Sequence, residues 1–548
     1  MRVIIIGGVA AGMSAAARLR RLDETAEIVV YEMGEHVSYA NCGLPYFVSD
    51  VISNRASLLL QTPESLWTRF RIQVKTGTMV TSIDREAKTV KVLNFATGEE
   101  LQDSYDKLVI STGARPRKPQ IPGVERAMVL RNVTDADQVK AAVQKNLGQK
   151  VVILGGGFVG IELAENLARL DVDTTLVQRA DTVLAQFDSE MIEPFQAELV
   201  KHGVKLELNA EALEITADSV VLQDGKTLQA DLVVAAAGVT PDNSLAREAG
   251  LKIGESGGLV VDGQQRTSDQ NIYAAGDAVE KLGLLTSGPM LIPLANLANR
   301  HGRLIADAIV GREVNAHQAI GTVIIGAFGF AAAITGLSEK LARRAGIDYR
   351  VLHVHPNNHA GYYPGATRVS IKVLFDPNTG KILGGQANGA DGVDKRIDVI
   401  ATAIHGGLTV QDLMDLELAY APQFGSAKDA INIAGYVGDN LVTGTTESLQ
   451  WFELESAIAS GAQLIDVRSD AEHGAGSIPG AINLSVDQLR EKLDQIQQDN
   501  VVVHCQVGQR GHVAAQILKA HGKTRVRNLD GGYITWRAAK DALQRSGR

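Results

Sequence analysis

The chain has 548 residues, 45% of them apolar and 21% charged, and a net charge of −9. Its length predicts two to four domains with ample core, and its composition is that of an ordinary globular protein. The acidic balance argues against a nucleic-acid-binding surface. Two cysteines far apart in sequence exclude a disulfide scaffold and fit a reducing compartment, so we expect a cytoplasmic protein without a signal peptide.

One stretch approaches membrane-spanning length. The segment from Ile320 to Leu337 carries no charge. Four glycines and two threonines interrupt it, and β-branched residues alternate with small ones. This pattern predicts a pair of buried strands, and no membrane association.

Two glycine-rich turns each follow a predicted strand and precede a predicted helix. The first reads GGVAAG at residues 7–12, where Val9 replaces the usual second glycine, and Glu32 ends the next strand. The second reads GGGFVG at residues 155–160 and satisfies G-x-G-x-x-G. Two such units predict one dinucleotide site for a flavin and one for a nicotinamide. The predicted contacts are Gly7, Gly8, Gly12 and the ribose-binding Glu32 in the first unit, and Gly155, Gly157 and Gly160 in the second.

The end of the second unit bears on cofactor choice. Its second strand is followed by Gln178 and Arg179, where NAD-binding units place an acid. A site without a carboxylate loses its discrimination against a 2′-phosphate, and arginine pairs with that group. We therefore predict that NADPH is used at least comparably to NADH.

Cys42 lies in the run SYANCGLPY at residues 38–46. Pro45 suits the first turn of a helix, which places Cys42 near a helix N-terminus that favours a thiolate. A thiolate beside a bound dinucleotide indicates redox sulfur chemistry. The alternative is a small buried hydrophobe. Cys505 would be its disulfide partner only if the last domain docks on it, so Cys42 is expected to bond to an external thiol.

Two further motifs carry a family resemblance. The runs STGA at 111–114 and NIYAAGDA at 271–278, together with the two glycine turns, resemble flavin-dependent pyridine nucleotide–disulfide oxidoreductases. The resemblance implies bound FAD, with Asp277 on its ribityl chain and a crossover between domains at Thr112 and Gly113. It also implies an interface domain that forms a homodimer.

The last hundred residues resemble a rhodanese domain. A strand ends at His504 and leads into a loop of six residues from Cys505 to Arg510. The resemblance implies that the loop lowers the pKa of Cys505, which then carries a persulfide, and that Arg510 supports the loop or an anionic donor. Ser477 stands where the family usually has histidine. A phosphatase of similar loop type is the alternative, although its loop is one residue longer.

The motifs around Cys42 most resemble coenzyme A-disulfide reductases, and the appended rhodanese points to fused CoA-disulfide, persulfide and polysulfide reductases. This implies that NAD(P)H reduces FAD, which opens a Cys42–S–S–CoA mixed disulfide. The thiolate then attacks the outer sulfur of a CoA disulfide, persulfide or polysulfide. Tyr362 and Tyr420 of the other subunit would protonate the leaving thiolate, with Tyr363 as the alternative to Tyr362. Simple interface anchoring is the other explanation for these tyrosines.

The phosphates of CoA require cations and hydrogen-bond donors. The candidate contacts are Arg18, Arg21, Arg69, Arg71, Ser38 and Asn41. Arginines on a helix are more often a solvated face, which is the alternative for all four. We predict no metal site, because His301, His353, His355 and His359 lack partners at ligand spacing.

The predicted fold class is α/β. It comprises two Rossmann-like domains for FAD and NAD(P)H, an α+β dimerisation domain and a C-terminal α/β rhodanese domain. The predicted boundaries are 1–112 and 241–321 for FAD, 113–240 for NAD(P)H, 322–438 for dimerisation, 439–447 for a linker and 448–548 for the rhodanese.

Two other functions compete with the reductase. A single-cysteine NAD(P)H oxidase or peroxidase would cycle through a sulfenic acid, but such peroxidases carry a histidine in the first glycine turn, where this chain has Val9 and Ala10. A non-enzymatic sulfur carrier or redox sensor would not need two nucleotide units and two thiolate sites.

Overall fold

The computed structural model describes residues 1–145 and 148–547. Those residues form two compact units. The first comprises Met1–Val177 and Ala210–Gly321, and the second comprises Gln178–Asn209 and Thr322–Arg548. Part of the segment predicted to bind NAD(P)H, residues 113–240, therefore groups with the C-terminal half of the chain.

The start of the first unit alternates strands and helices. Its elements are β1 (Arg2–Ile6), α1 (Ala10–Leu22), β2 (Glu27–Tyr31), α2 (Leu44–Val48), α3 (Pro63–Phe70), β3 (Ile72–Lys75), β4 (Thr78–Asp84), β5 (Thr89–Asn94), β6 (Glu100–Ser104) and β7 (Lys107–Ile110).

The middle of the chain continues the same alternation. Its elements are β8 (Ala114–Pro116), α4 (Val133–Lys145), β9 (Lys150–Leu154), α5 (Phe158–Ala168), β10 (Asp173–Gln178), α6 (Ser189–Lys201), β11 (Lys205–Leu208), β12 (Ala212–Ile215), β13 (Ser219–Leu222), β14 (Thr227–Gln229), β15 (Leu232–Ala235), β16 (Val239–Pro241), α7 (Ser244–Glu248), β17 (Ile272–Ala274), β18 (Lys281–Leu282), β19 (Pro289–Met290) and α8 (Ala295–Ile309).

Two parallel sheets organise the first unit. One has the order β17-β7-β1-β2-β3, and the other includes the run β10-β9-β15. Their central strands are apolar runs that are buried along nearly their whole length, as expected for sheets covered on both faces. The predicted strand–turn–helix order of both nucleotide units is confirmed.

Helix α8 covers the first sheet together with α1. Gly302 of α8 approaches the backbone of Ala11 so closely that a Cβ at this position would overlap its carbonyl oxygen. The glycine therefore lets the two helices meet next to the first glycine turn.

The second unit contains the predicted dimerisation and rhodanese segments. Its elements after residue 321 are β20 (Val323–Ala327), β21 (Phe330–Gly336), α9 (Glu339–Ala345), β22 (Arg350–Val354), β23 (Val369–Phe375), β24 (Ile382–Gly389), α10 (Val393–Gly406), α11 (Ala430–Val442), β25 (Glu447–Leu449), α12 (Leu454–Ala459), β26 (Gln463–Asp466), α13 (Asp470–Gly474), β27 (Ile482–Asn483), β28 (Asn500–His504), α14 (Gln509–Ala520), β29 (Arg525–Leu529) and α15 (Gly532–Arg545).

Two sheets form the framework of this part of the chain. An antiparallel sheet has the order β20-β21-β24-β23-β22, and a parallel sheet has the order β25-β29-β28-β26-β27. The uncharged stretch after Ile320 forms the hairpin of β20 and β21, as predicted, although β20 is only partly buried. Among the described residues, no helix has both the length and the apolar character needed to cross a membrane.

The predicted linker from Asp439 to Glu447 is mostly regular structure. Helix α11 continues to Val442, and Glu447 begins β25. The irregular connection is therefore only residues 443–446, shorter than the sequence suggested.

Candidate active site

The predicted FAD contacts lie at one edge of the first sheet. The glycine turn follows β1, Glu32 follows β2, the Ser111–Gly113 turn follows β7 and Asp277 follows β17. Because these strands are parallel, their carboxyl ends share one edge, where open α/β sheets bind ligands.

Local contacts hold this edge in shape. Gly7 has a φ of +96°, and a Cβ on it would overlap the carbonyl oxygen of Ser111. Gly8 donates its N–H to Glu32 Oε2 at 2.7 Å, and Gly34 donates to Glu32 Oε1 at 2.8 Å. The Glu32 carboxylate is thereby fixed where a ribose acid is expected.

Three further predicted contacts, Thr112, Gly113 and Asp277, are also in turns. Thr112 Oγ1 donates to the carbonyl of Asp242 at 2.7 Å, and Gly113 has a φ of +72°. Asp277 lies in the short turn Gly276–Ala278. Burial lowers the pKa of Lys281 to about 8, and the Asp277 carboxylate partly offsets this shift.

The second glycine turn leaves room for a ligand. A Cβ on Gly155 or Gly160 would overlap backbone oxygens, so both are needed for close packing. Gly157, by contrast, has no heavy atom within 4 Å of its Cβ position. An open cradle at this glycine, just before α5, is what a pyrophosphate requires.

Gln178 and Arg179 follow the strand as predicted. Gln178 ends β10 and donates its Nε2–H to the carbonyl of Thr182 at 3.2 Å. Arg179 is exposed. No acid stands at this strand end, in agreement with the sequence prediction.

Cys42 lies in the single turn Asn41–Gly43 immediately before α2, with Pro45 in the first turn of that helix. Its side chain is exposed. Burial of the sulfur's surroundings nevertheless raises the pKa of Cys42, and the carboxylates of Glu162 and Asp277 raise it further. The expectation of a thiolate stabilised by the helix N-terminus is therefore wrong for the chain alone, because α2 has only five residues and two carboxylates oppose it.

Glu162 is a site residue that sequence reasoning missed. It lies on α5, and burial raises its pKa to about 7, with Glu165 adding to the shift. The neighbouring Asn166 accepts a hydrogen bond from Ser49 just beyond α2, and its Nδ2 donates to the Glu162 carbonyl at 2.7 Å. The glutamate lies two residues after the second glycine motif, and this position was the available signal.

Ser38 and Asn41 flank the cysteine. Ser38 has a φ of +49°, and its N–H donates to the carbonyl of Gly8 at 2.8 Å. The Asn41 Oδ1 is buried and has no hydrogen-bond partner among the described residues. An unsatisfied buried acceptor beside Cys42 marks a place for a donor from a ligand.

The four arginines proposed for CoA differ in their surroundings. Arg18 pairs with Asp307 of α8 at 2.8 Å, so its charge is partly neutralised. Arg21 and Arg69 are exposed on their helices. Arg71 is also exposed and lies over the Trp67 ring at 5.3 Å from its centroid.

The two chosen tyrosines meet in the second unit. Tyr362 and Tyr420 are 76% and 49% exposed, and their hydroxyls lie 3.0 Å apart. The hydrogen bond to Tyr420 raises the pKa of Tyr362. Tyr363 instead sets its ring edge-on against His359, with 5.7 Å between centroids.

Arg396 joins the two tyrosine segments. It is 1% exposed, and its Nη2 donates to the carbonyl of Asn358 at 2.7 Å and to Asp429 at 2.7 Å. In addition, the Ala360 N–H donates to the carbonyl of Gly425 at 2.9 Å. These hydrogen bonds thus connect the loops that carry Tyr362 and Tyr420.

The rhodanese loop encloses Cys505. The sulfur is fully buried and accepts the N–H of Gly508 at 3.2 Å. Arg510 makes a two-bond pair with Glu472, at 2.8 and 2.7 Å. Arg510 therefore braces the loop, and the pair lowers the pKa of Glu472 to about 2.

Arg468 and His504 were missed by sequence reasoning. The buried Arg468 pairs with Asp466 and donates to Gln506 of the loop at 3.1 Å. His504, next to Cys505, is fully buried, and burial lowers its pKa to about 4.

Within the described residues, one acidic cluster has the geometry of a metal site. It consists of Asp188, Glu190 and Glu339. The Nζ of Lys372 lies among them, 2.9, 2.5 and 2.6 Å from their oxygens. An ammonium therefore occupies the position that a cation would take.

Comparison with known proteins accounts for the whole architecture. The model of the pyridine nucleotide-disulphide oxidoreductases matches residues 1–301, that family's dimerisation domain matches 324–430, and a rhodanese-like domain matches 451–539. The chain belongs to the pyridine nucleotide–disulphide oxidoreductase family. Members use FAD and NAD(P)H, so the chain is a flavin-dependent oxidoreductase that carries a rhodanese domain.

Three proteins of known name are similar to this chain over most of its length. The chain is 33% identical to a coenzyme A disulfide reductase of Staphylococcus aureus over 436 residues, which cover 79% of this chain and 99% of that one. The structure of reduced CoADR-RHD from Bacillus anthracis is 42% identical, with a TM-score of 0.96 over 99% of this chain and 98% of that chain. A NAD-dependent persulfide reductase from A. fulgidus is 37% identical, with a TM-score of 0.92 over 98% of this chain and 100% of that chain.

The described residues fit the family's two cofactors. Glu32 and Asp277 stand at the shared strand edge for FAD, and the open cradle at Gly157 suits the pyrophosphate of a nicotinamide dinucleotide. When bound, FAD takes a hydride from NAD(P)H and delivers two electrons to sulfur.

Proposed function

We propose that this chain uses NADPH or NADH to reduce CoA disulfide, CoA persulfide or polysulfide. The carrying observation is that Cys42 is exposed beside the predicted FAD edge and that the chain has only one other cysteine, Cys505, in the C-terminal module. An internal disulfide within the flavin unit is thereby ruled out, and Cys42 forms its mixed disulfide with CoA.

The exchange step balances as follows for CoA disulfide. The Cys42 thiolate attacks one sulfur, a Cys42–S bond forms, the S–S bond breaks, and one CoA thiolate leaves. Two electrons then open the Cys42–S–S–CoA bond and release the second CoA thiolate. Each cycle consumes one NAD(P)H and one proton and yields two molecules of CoA thiol.

The leaving thiolate needs a proton, and the tyrosine pair is suited to supply it. Tyr362 and Tyr420 share a hydrogen bond, so loss of a proton from one hydroxyl is stabilised by donation from the other. We assign both to the active site of the second subunit in a homodimer. The matched dimerisation domain and the exposed Tyr362, Tyr420 and Phe424 support this assembly.

The CoA site takes its polar contacts from the Cys42 side of the first unit. Of the candidates, Asn41 lies beside Cys42 and has an unsatisfied side-chain oxygen, and Arg21 is exposed. Arg18 contributes less charge, because Asp307 pairs with it.

Through Cys505, the rhodanese domain takes part in the transfer of sulfur to the same active site. The Cys505 sulfur accepts the N–H of Gly508, and we assign the persulfide to this atom. We propose that the Cys505 thiolate takes the outer, zero-valent sulfur of a persulfide or polysulfide donor and releases the donor's thiolate, and that CoA thiolate then takes this sulfur as CoA persulfide and regenerates the Cys505 thiolate. The Cys42 thiolate attacks the CoA sulfur of CoA persulfide, a Cys42–S–S–CoA bond forms and sulfide leaves, and two electrons from NAD(P)H open that bond and release CoA thiol.

The first test is the state of the purified protein. We expect a yellow protein with CoA on Cys42, detected as an intact-mass adduct that dithiothreitol removes. An oxidised Cys42 peptide without a thiol-releasable adduct would refute the CoA assignment.

The second test separates the functions by rate. NAD(P)H oxidation is measured with CoA disulfide, CoA persulfide, O₂ and H₂O₂, and the first two are expected to dominate. Cys42→Ser should abolish turnover with every sulfur substrate. Cys505→Ser should spare preformed CoA persulfide and impair donors that cannot reach Cys42; unchanged rates for all donors would exclude the relay.

A further inference from the structure

A buried ion pair connects the rhodanese segment to the dimerisation sheet within the second unit. Asp530 follows β29, and its Oδ2 lies 2.6 Å from Nδ1 of His353 on β22. The backbone N–H of His353 donates to Asp530 Oδ1 at 3.1 Å. Both side chains are almost completely buried, 1% and 4% exposed.

The opposite side of the imidazole also faces negative charge. Its Nε2 lies 3.4 Å from Glu190 Oε1 on α6. Behind Glu190, the single ammonium of Lys372 is shared with Asp188 and Glu339. Three carboxylates around one ammonium leave an excess of negative charge, which a protonated His353 reduces.

Asp530 begins the turn against which the sulfur loop closes. Gly531 and Gly532 follow with φ values of +64° and +63°. The N–H of Tyr533 then donates to the carbonyl of Cys505 at 2.8 Å, and that of Ile534 to the carbonyl of Gln506 at 3.2 Å.

Packing makes this turn sensitive to its neighbours on both sides. A Cβ on Gly531 would lie 2.8 Å from the Cβ of His353, and a Cβ on Gly532 would overlap the carbonyl of Cys505. Because both glycines are in close contact with their neighbours, Asp530 cannot shift without displacing His353 or the Cys505 loop.

We propose that His353 is a positioning residue for the Cys505 loop, whose imidazolium holds Asp530 and thereby fixes the turn that supports the loop. His353 touches neither the sulfur nor a substrate. The inference rests on the proposed function only for the sulfur-accepting role of Cys505.

The ion pair of His353 with Asp530, which we call the clamp, depends on pH. The direction of this dependence follows from the pKa of His353. Burial lowers the pKa of His353, but Asp530 and Glu190 raise it to a net value of about 9. A histidine whose folded pKa is raised stabilises the folded state fully below its unfolded value near 6.5, and this contribution is lost as pH rises through about 9. The charged or titratable groups that face it are Asp530, Glu190, Asp188, Glu339, Lys372 and His355.

The test uses the full chain and its two cysteines. The protein is first treated with dithiothreitol, which releases CoA from Cys42, and the reductant is then removed. Alkylation of Cys505 by iodoacetamide is followed by peptide mass from about pH 6 to about pH 10, with Cys42 as the internal standard. His353→Asn should speed Cys505 alkylation at least about tenfold near pH 7, and the ratio to the unmodified protein should approach one above about pH 9. His521→Asn is the matched control, because His521 lies in the same domain and its ring Nδ1 is 2.8 Å from the Ile517 carbonyl oxygen.

The outcomes are distinguishable. A ratio near one at all pH values, or a raised ratio that does not change with pH, overturns the proposal. If His353→Asn does not fold, hydrogen exchange of the Tyr533 amide in the unmodified chain decides: corrected protection must fall as pH rises through about 9. Failure of Cys505 to take sulfur from any donor would count against the proposed function, while the alkylation data would still judge the clamp.

Discussion

The hydroxyl of Tyr362 lies 3.0 Å from that of Tyr420, although 58 residues separate them in the chain. Neither ring is held by burial, so the loops beneath fix the pair. A shared hydrogen bond allows one tyrosine to lose a proton while the other stabilises the resulting charge.

The shared hydrogen bond of Tyr362 and Tyr420 predicts that removing the two hydroxyls has non-additive effects on turnover. Tyr362→Phe and Tyr420→Phe should each lower turnover with CoA disulfide on the order of 10²-fold, because each removes a member of one proton-donating unit. The double variant should lose little more than either single variant. Steady-state kinetics measures this, and Tyr363→Phe, whose ring contacts His359 instead, is the control. Losses that simply multiply would show two independent roles.

Arg396 should matter for stability as well as rate. Arg396→Met leaves Asp429 buried without its main partner, and breaking a buried ion pair costs about 3–5 kcal/mol. Because Arg396 also binds the Asn358 carbonyl, the tyrosine loops should loosen and turnover should fall. Urea unfolding and kinetics measure the two effects. Arg537→Met, whose ion pair with Asp541 is exposed at both side chains, 59% and 36%, should cost less than about 1 kcal/mol; equal losses would argue against the positioning role.

Glu162 should oppose thiolate formation at Cys42. Glu162→Gln removes a carboxylate that raises the pKa of Cys42, so alkylation of Cys42 should become several-fold faster above pH 7. Below that pH, Glu162 of the unmodified protein is mostly protonated and the difference should shrink, since its own pKa is about 7. The measurement is the rate of Cys42 alkylation against pH, with Cys505 as the reference. A constant rate ratio across this range would contradict the assignment.

Arg179 should affect the choice of nicotinamide cofactor. We expect NADPH to be used at least as well as NADH, because Gln178 and Arg179, rather than an acid, stand at the end of β10. Arg179→Ala should raise KM for NADPH about tenfold and leave KM for NADH nearly unchanged, since only NADPH carries the 2′-phosphate. Equal changes for both cofactors would mean that Arg179 contributes only surface charge.

Local patterns were sufficient to predict the nucleotide-binding units. The glycine turns, Glu32 and the strand–helix alternation all depend on residues close in sequence, and the structure has them as expected. The environment of Cys42 was predicted wrongly because burial raises its pKa, and the carboxylates of Glu162 and Asp277, which are distant in sequence, raise it further. The same holds for Arg18, whose partner Asp307 lies 289 residues away. Pairings over such distances leave no periodic signal in a single sequence.

Local sequence patterns also did not indicate that residues 178–209 group with the second unit. Their strand and helix propensities suit a nucleotide-binding unit, and only the carboxylates on α6 indicate other partners. Those partners, Lys372, His353 and Arg545, come much later in the chain.

This long separation has a consequence for synthesis on the ribosome. Glu193 of α6 pairs with Arg545 of α15, which is 352 residues further along the chain. Until the last helix emerges, α6 carries buried-type carboxylates without their cations, so this helix is among the last parts of the protein to settle. Nascent chains that stop before residue 545 should therefore expose α6 to proteases and chaperones, however well the first sheet has already folded.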